Sequence, residues 1–178
     1  MSSILKVDQL QDSGGNALIT SDGSGTITAG AVTNAPAFLA NIPTSTTISE
    51  NTNALVPYST VVFDTHNAYN NTAGNYKFTV PTGYDGKYAF HITLECDDNV
   101  QTWDRYIVRI SFDGGTSTFT LGDIDQSHTF NVTMSGSIIQ NLSAGDEVQI
   151  YAQLNVVGTS ADPEVVRGRF GGYRLIGV

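Results

Sequence analysis

Gly74-Asn75-Tyr76-Lys77-Phe78-Thr79-Val80-Pro81, followed by Gly86-Lys87-Tyr88-Ala89-Phe90, is the stretch on which the fold turns. Phe78, Tyr88 and Phe90 recur at alternate positions, as they do when every second side chain of a strand enters a core. Pro81 and Gly86 bound the connection between the two runs, since Pro lacks a ladder donor and Gly opens a turn. Outward from this pair the same short alternation returns. Strands are predicted at residues 58–63, 76–80, 87–96, 104–112, 116–121, 128–134, 147–154 and 170–178. Asp113-Gly114-Gly115 and Ser143-Ala144-Gly145-Asp146 supply turn chemistry between them. Helical periodicity is nearly missing, so this strand spacing points to an all-β sandwich or barrel.

Composition agrees. The chain has 178 residues, with 18 Gly, eight Phe, eight Tyr and one Trp, while charged residues make up only 14%. That is enough aromatic mass for one domain's core without metal or disulfide. Cys96 is the single cysteine, so an intrachain disulfide is excluded. The net charge of -9 opposes a sequence-independent grip on nucleic acid, which needs a basic surface. Arg167, Arg169 and Arg174 cluster late in the chain, but their alternation with Phe170 and Tyr173 reads as the solvent side of a strand. No stretch approaches the roughly 18 apolar residues of a spanning helix, so no membrane insertion is expected. The opening residues lack the basic and apolar regions of a secretory signal, so release is expected by another route, such as lysis.

Residues 1–35 differ in character. They are rich in Gly, Ser, Asp and Thr with scattered apolar positions, and they cannot bury a core alone. Residues 17–20 and 26–28 flank Ser21-Asp22-Gly23-Ser24-Gly25 as a small hairpin, which is marginal in water unless it pairs with something. The expected organisation is an N-terminal anchoring or trimerising segment, 1–35, and a head domain, 36–178. Ile4, Leu5, Val7 and Leu10 are the expected anchoring residues.

Several blocks of the head, in order, resemble the globular-head family of complement first component q, which shares the tumour-necrosis-factor jelly roll. Pro36-Ala37-Phe38-Leu39-Ala40 is similar to that family's first strand, and Val62-Phe63-Asp64 with Ala68-Tyr69-Asn70 to its next block. The 74–90 stretch matches its pattern of Gly, Phe, Thr, Pro, Gly, Tyr and Phe. Leu142 to Val148 resembles its Leu-x-x-Gly-Asp-x-Val block, and Phe170-Gly171-Gly172-Tyr173-Arg174-Leu175 its closing strand. The resemblance implies a homotrimeric jelly-roll sandwich of about 8–10 antiparallel strands. No Gly-x-y collagen stalk precedes the head. Residues 3–16 instead resemble the opening of short virion proteins of tailed bacteriophages, notably those of cyanobacteria and other aquatic hosts.

His66, His91 and His128 lack the close spacing of a zinc site. Asp125, Ser127 and His128 carry the letters of a hydrolase triad but lie almost adjacent, as in a polar turn. No nucleophile elbow, phosphate loop or dinucleotide fingerprint occurs. Glu95, Asp97, Asp98 and Asp104 offer oxygens, and the resembled heads sometimes hold calcium, but the irregular spacing favours a solvated connection. No cofactor is therefore expected. A glycan-acting enzyme would need two opposed carboxylates in a cleft, and a secreted signalling ligand would need an export signal.

These readings converge on a non-enzymatic virion structural protein, made in the host cytoplasm and displayed on the virion surface. As a trimeric spike or short fibre, its head would bind a host-surface glycan or protein while its N-terminal segment holds other virion proteins. The alternative is a capsid decoration protein that stabilises the shell. Asp97, Asp98 and Trp103 are the candidate partner contacts, because they fall in a long polar connection that combines carboxylates with an indole. Residues 155–163 form a second such connection. Phe38, Tyr88, Tyr151 and Tyr173 belong either to the trimer interface or to the core.

Overall fold

The computed structural model describes residues 7–28, 35–97, 102–128, 131–157 and 163–175, and no helix among them is long and apolar enough to cross a membrane. The chain divides into two compact units with the break between Asn34 and Ala35.

In the N-terminal unit, β1 (Gln9–Gln11), β2 (Ala17–Ser21) and β3 (Ile27–Thr28) form an antiparallel meander. The predicted hairpin is thus part of a three-stranded sheet. Its two turns are copies of one another at a spacing of ten residues. Asp12 accepts from the backbone N–H groups of Gly14 and Asn16 at 2.8 and 2.9 Å, and Asp22 from those of Ser24 and Thr26 at 2.8 and 3.1 Å. Asp12 N–H donates to the Asn16 carbonyl as Asp22 N–H does to that of Thr26. Gly15 and Gly25 take the same left-handed conformation, at φ 83° and 97°, which glycine adopts without strain. Hydrogen bonds from the Asn16 side chain to Asp12 and from the Ser24 side chain to Asp22, with the backbone N–H groups after them, hold both carboxyls below the usual carboxylate range, Asp22 at about 2.

The head contains β4 (Ala37–Asn41), β5 (Thr46–Thr47), β6 (Ala54–Leu55), β7 (Thr60–Asp64), β8 (Tyr69–Asn70), β9 (Lys77–Thr79), β10 (Gly86–Asp97), β11 (Thr102–Ser111), β12 (Phe119–His128), β13 (Val132–Leu142), β14 (Glu147–Val157) and β15 (Glu164–Arg174). One sheet runs β13-β10-β15-β4-β7, with β5 on β15; the other runs β12-β11-β14-β9-β8, with β6 on β14. Every pairing between named strands is antiparallel, and neighbours distant in sequence lie side by side. The result is a jelly-roll sandwich.

Alternation decides which face is buried. Tyr88, Phe90, Ile92, Leu94 and Cys96 of β10 meet Tyr106, Val108 and Ile110 of β11 and Val148, Ile150, Ala152 and Leu154 of β14 in one core. Phe38 lies at its centre, stacked on Phe78 at 4.7 Å and Tyr69 at 5.1 Å, with Phe170 edge-on at 5.0 Å. Buried tyrosine hydroxyls all reach carbonyls: Tyr58 to Thr93, Tyr69 to Tyr58 and Tyr106 to Leu94, each at 3.0 Å, and Tyr88 to Tyr84 at 2.7 Å.

The long strands were legible, and the edges were not. Predicted strands at 116–121 and 128–134 are in fact parts of β12 and β13, and the second prediction takes in the last residue of β12 and the first three of β13. β12 carries Asp123 and Asp125 and β13 carries Ser135 and Ser137 at exposed positions, and their length comes from pairing along β11 and β10, which overrides weak local preference. Asp125, Ser127 and His128 consequently lie in a strand, not a turn. Trp103 likewise belongs to β11, and residues 155–157 to β14, so both predicted polar connections are shorter than expected. β15 begins at Glu164, well before residue 170.

Replacing Phe170, fully buried among Phe38, Tyr58, Tyr69 and Phe90, with Ala should cost about 3–5 kcal/mol in denaturant unfolding. Gly172→Ala should cost about 1–3 kcal/mol, because a Cβ there would overlap the Phe90 ring. Equal midpoints for both variants and the parent would contradict this packing.

Candidate interaction surface

The second face of the β13-β10-β15-β4-β7 sheet is turned away from the core. Register places its side chains in rows across the strands. Ser137, His91, Gly171, Leu39 and Phe63 form one row, and Ile139, Ala89, Tyr173 and Ala37 the next. Ile139 is 63% exposed, Phe63 48% and Tyr173 37%. Gly171 lets the rows close up: a Cβ there would fall 2.8 Å from the His91 ring and 3.0 Å from Leu39 Cδ1. Ala89, His91, Ser137, Ile139 and Tyr173 surround a depression of about 520 Å³.

Farther along the same face the character becomes polar. Arg167 pairs with Glu95 at 3.0 Å, and Asn131 donates to Glu95 at 3.1 Å. Arg169 contributes its backbone N–H to Thr93 Oγ1, and Asn41 Oδ1 is buried without a protein partner. Arg167, Arg169 and Tyr173 share this outer face, so Tyr173 does not alternate with the arginines as the sequence pattern suggested. Arg174 instead turns to the sandwich end, where Nε and Nη2 donate to the Asp85 carbonyl at 3.1 and 2.8 Å.

The ends of the head differ. Asp97 lies opposite Glu164, Thr102 opposite Val157, Trp103 opposite His128 and Cys96 opposite Val132. The residues flanking three connections, 98–101, 129–131 and 158–163, therefore meet at one end. The chain enters the sandwich at the other, where Ala37 lies opposite Tyr173.

Of the expected contacts, Asp97 is half-buried at the end of β10, Asp98 lies outside the described residues, and Trp103 is placed by its backbone alone. Phe38 and Tyr88 are in the core, and burial pushes the Tyr88 hydroxyl up to about 12. Tyr151 is half-buried on β14 and donates to Gln149 Oε1 at 3.1 Å, while Tyr173 is on the exposed face. Val7 and Leu10 are exposed in the meander; Ile4 and Leu5 lie outside the described residues. Among the described residues no group of three or more His, Cys, Asp or Glu is placed to hold a metal ion. His66 is spent on Thr65, at 2.8 Å, and on the Tyr84 ring, whereas His91 stands on the outer face. Of this face sequence reasoning singled out Tyr173 alone as an interface candidate, although the alternation of Ala89, His91 and Ile139 with core residues was its signal. It also missed Arg105, whose guanidinium grips Asp123 through two bonds of 3.0 and 2.7 Å and holds that carboxyl low.

A model of the C1q domain matches residues 37–175. The globular domain of zebrafish complement 1qA protein superposes with a TM-score of 0.55 and 17% identity, over 79% of this chain and 97% of that one. PRD1 vertex protein P5 does so with a TM-score of 0.54 and 17% identity, over 78% of this chain and 96% of that one. No curated protein matches the chain in sequence.

Cys96 is fully buried, and desolvation pushes its thiol up to about 12. The folded protein should therefore resist maleimide labelling at neutral pH and take up one label per chain on unfolding. Prompt labelling of the native protein would contradict the burial.

Proposed function

The chain belongs to the C1q domain family, and on that premise we propose a homotrimeric, non-enzymatic virion surface protein, a spike or short fibre whose head binds the host surface. C1q and tumour-necrosis-factor-like domains commonly form homotrimers and are typically structural or binding modules. The observation that carries the reading is the outer face bearing Phe63, Leu39, His91, Tyr173 and Ile139. Large apolar side chains exposed together on one sheet face, here Phe63, Tyr173 and Ile139, mark a surface meant to be covered, and a closed ring of three copies covers it on each.

The division of the head into two ends supports display. A head held through its N-terminal segment enters at Ala37 and presents the opposite end, with Asp97 and Trp103 there by register and Asp98 next in the chain, to a host glycan or protein. Ile4 and Leu5 contact the particle. The fold shared with PRD1 vertex protein P5 is one used at a virion vertex, which supports the placement.

Light scattering should give three times the chain mass. Ile139→Asp should return a folded monomer, because a 63% exposed side chain contributes little within one copy but would bury a charge between copies. A parent monomer, or an unchanged trimer in the variant, would overturn this interface. Immunogold labelling of intact particles should decorate their surface; protein confined to the soluble lysate would sink the virion assignment. Ala at Asp98 and Trp103 should reduce host adsorption with the trimer mass unchanged.

A further inference from the structure

The meander of residues 7–28 poses a physical problem that its own fold does not solve. Leu10 and Ile19 are directly opposed, as are Ser21 and Ile27, so Leu10, Ile19 and Ile27 share one face. With Val7 they line a depression of about 440 Å³. Leu10 is 51% exposed, Ile19 42% and Ile27 67%, whereas Gln9 and Gln11 occupy the other face and bond to each other. A sheet of so few short strands needs a second layer to persist in water.

We propose that this second layer is the same meander from the other copies, so that residues 7–28 form a self-pairing stalk separate from the head interface. Three observations favour a second copy over a foreign partner. The unit is built by repeating one ten-residue device, with Asp12 and Asp22 capping equivalent turns and Gly15 and Gly25 in equivalent conformations, and repeated units match best to their own kind. Residues 7–28 carry three Asp and neither Lys nor Arg, which removes any attraction to an anionic lipid surface.

The third observation is area. Four side chains about half exposed leave roughly 200 Å² of apolar surface per copy, about a quarter of the ~800 Å² one partner buries in a stable interface. Such a face does not assemble untethered. Covalent attachment to a trimeric head raises the local concentration of meanders to the millimolar range, where a small apolar face suffices. The inference rests to that extent on the trimeric head. It reassigns Val7 and Leu10 from particle contact to the stalk and leaves Ile4 and Leu5 to the particle.

Cysteine cross-linking of the full chain tests it, and the buried Cys96 gives a silent background. Ile19→Cys and Ile27→Cys place thiols on the shared face, and Gln11→Cys places one on the opposite face. With a short bifunctional maleimide, the first two should yield covalent dimers and Gln11→Cys should remain largely monomeric on a denaturing gel. All three should accept a monofunctional maleimide. Cross-linking of Gln11→Cys as efficient as that of Ile19→Cys, or none at Ile19→Cys and Ile27→Cys despite labelling, would overturn the stalk. The mass of each full chain, measured alongside, separates the two ideas: a trimer without cross-links removes the stalk alone, and a monomeric mass removes the head assembly.

Discussion

The sandwich depends on one clustering of rings. Phe38 stacks on Phe78 and Tyr69 from the opposing sheet and receives the edge of Phe170 from its own, so three distant parts of the chain are committed to a single site. Offset and edge-on contacts of this kind add direction to burial, which is otherwise directionless. Tyr106 of one sheet donates to the Leu94 carbonyl of the other, and Tyr58 to that of Thr93. The hydroxyls thereby fix the sliding of the sheets that the rings alone would permit. Desolvation raises the pKa of both phenols, so these bonds keep their protons well into alkali.

With the inner faces fixed in this way, period-two geometry leaves no choice about the outer ones. Committing Tyr88, Phe90 and Ile92 to the core puts Ala89 and His91 on the far side of β10, and register then aligns them with Ile139, Tyr173 and Leu39. The candidate interaction surface is thus the reverse of the core, specified by the same residues' spacing. Glycine does the rest at Gly171, where side chains from two neighbouring strands close over a backbone without a Cβ.

Strands are most legible in the sequence where they are central and apolar. β10, β11 and β14 stand out because both propensity and alternation favour them. β12 and β13 read as broken pieces because Gly122, Asp123, Gly136 and Ser137 look like turn residues, and only pairing along their whole length makes them strands. Trp103 reads as loop for the same reason: the pairing of β11 with His128 and Val156 lies beyond any local window. The ten-residue repeat of the N-terminal unit is present in the letters, in Asp12 with Asp22 and Gly15 with Gly25, but its meaning requires the matching hydrogen bonds.

That repeat makes length a counted quantity. Each ten-residue unit adds one strand and one capped turn, and each reverses the direction of the chain. Insertion of a single unit would therefore deliver the downstream chain to the other end of the meander, whereas insertion of two would restore the original heading with a wider sheet. Intermediate insertions would displace an aspartate from the amides it caps and a glycine from the left-handed conformation that it adopts without strain. Variation in this segment is constrained to whole steps, and even numbers of them keep the direction in which the last strand runs.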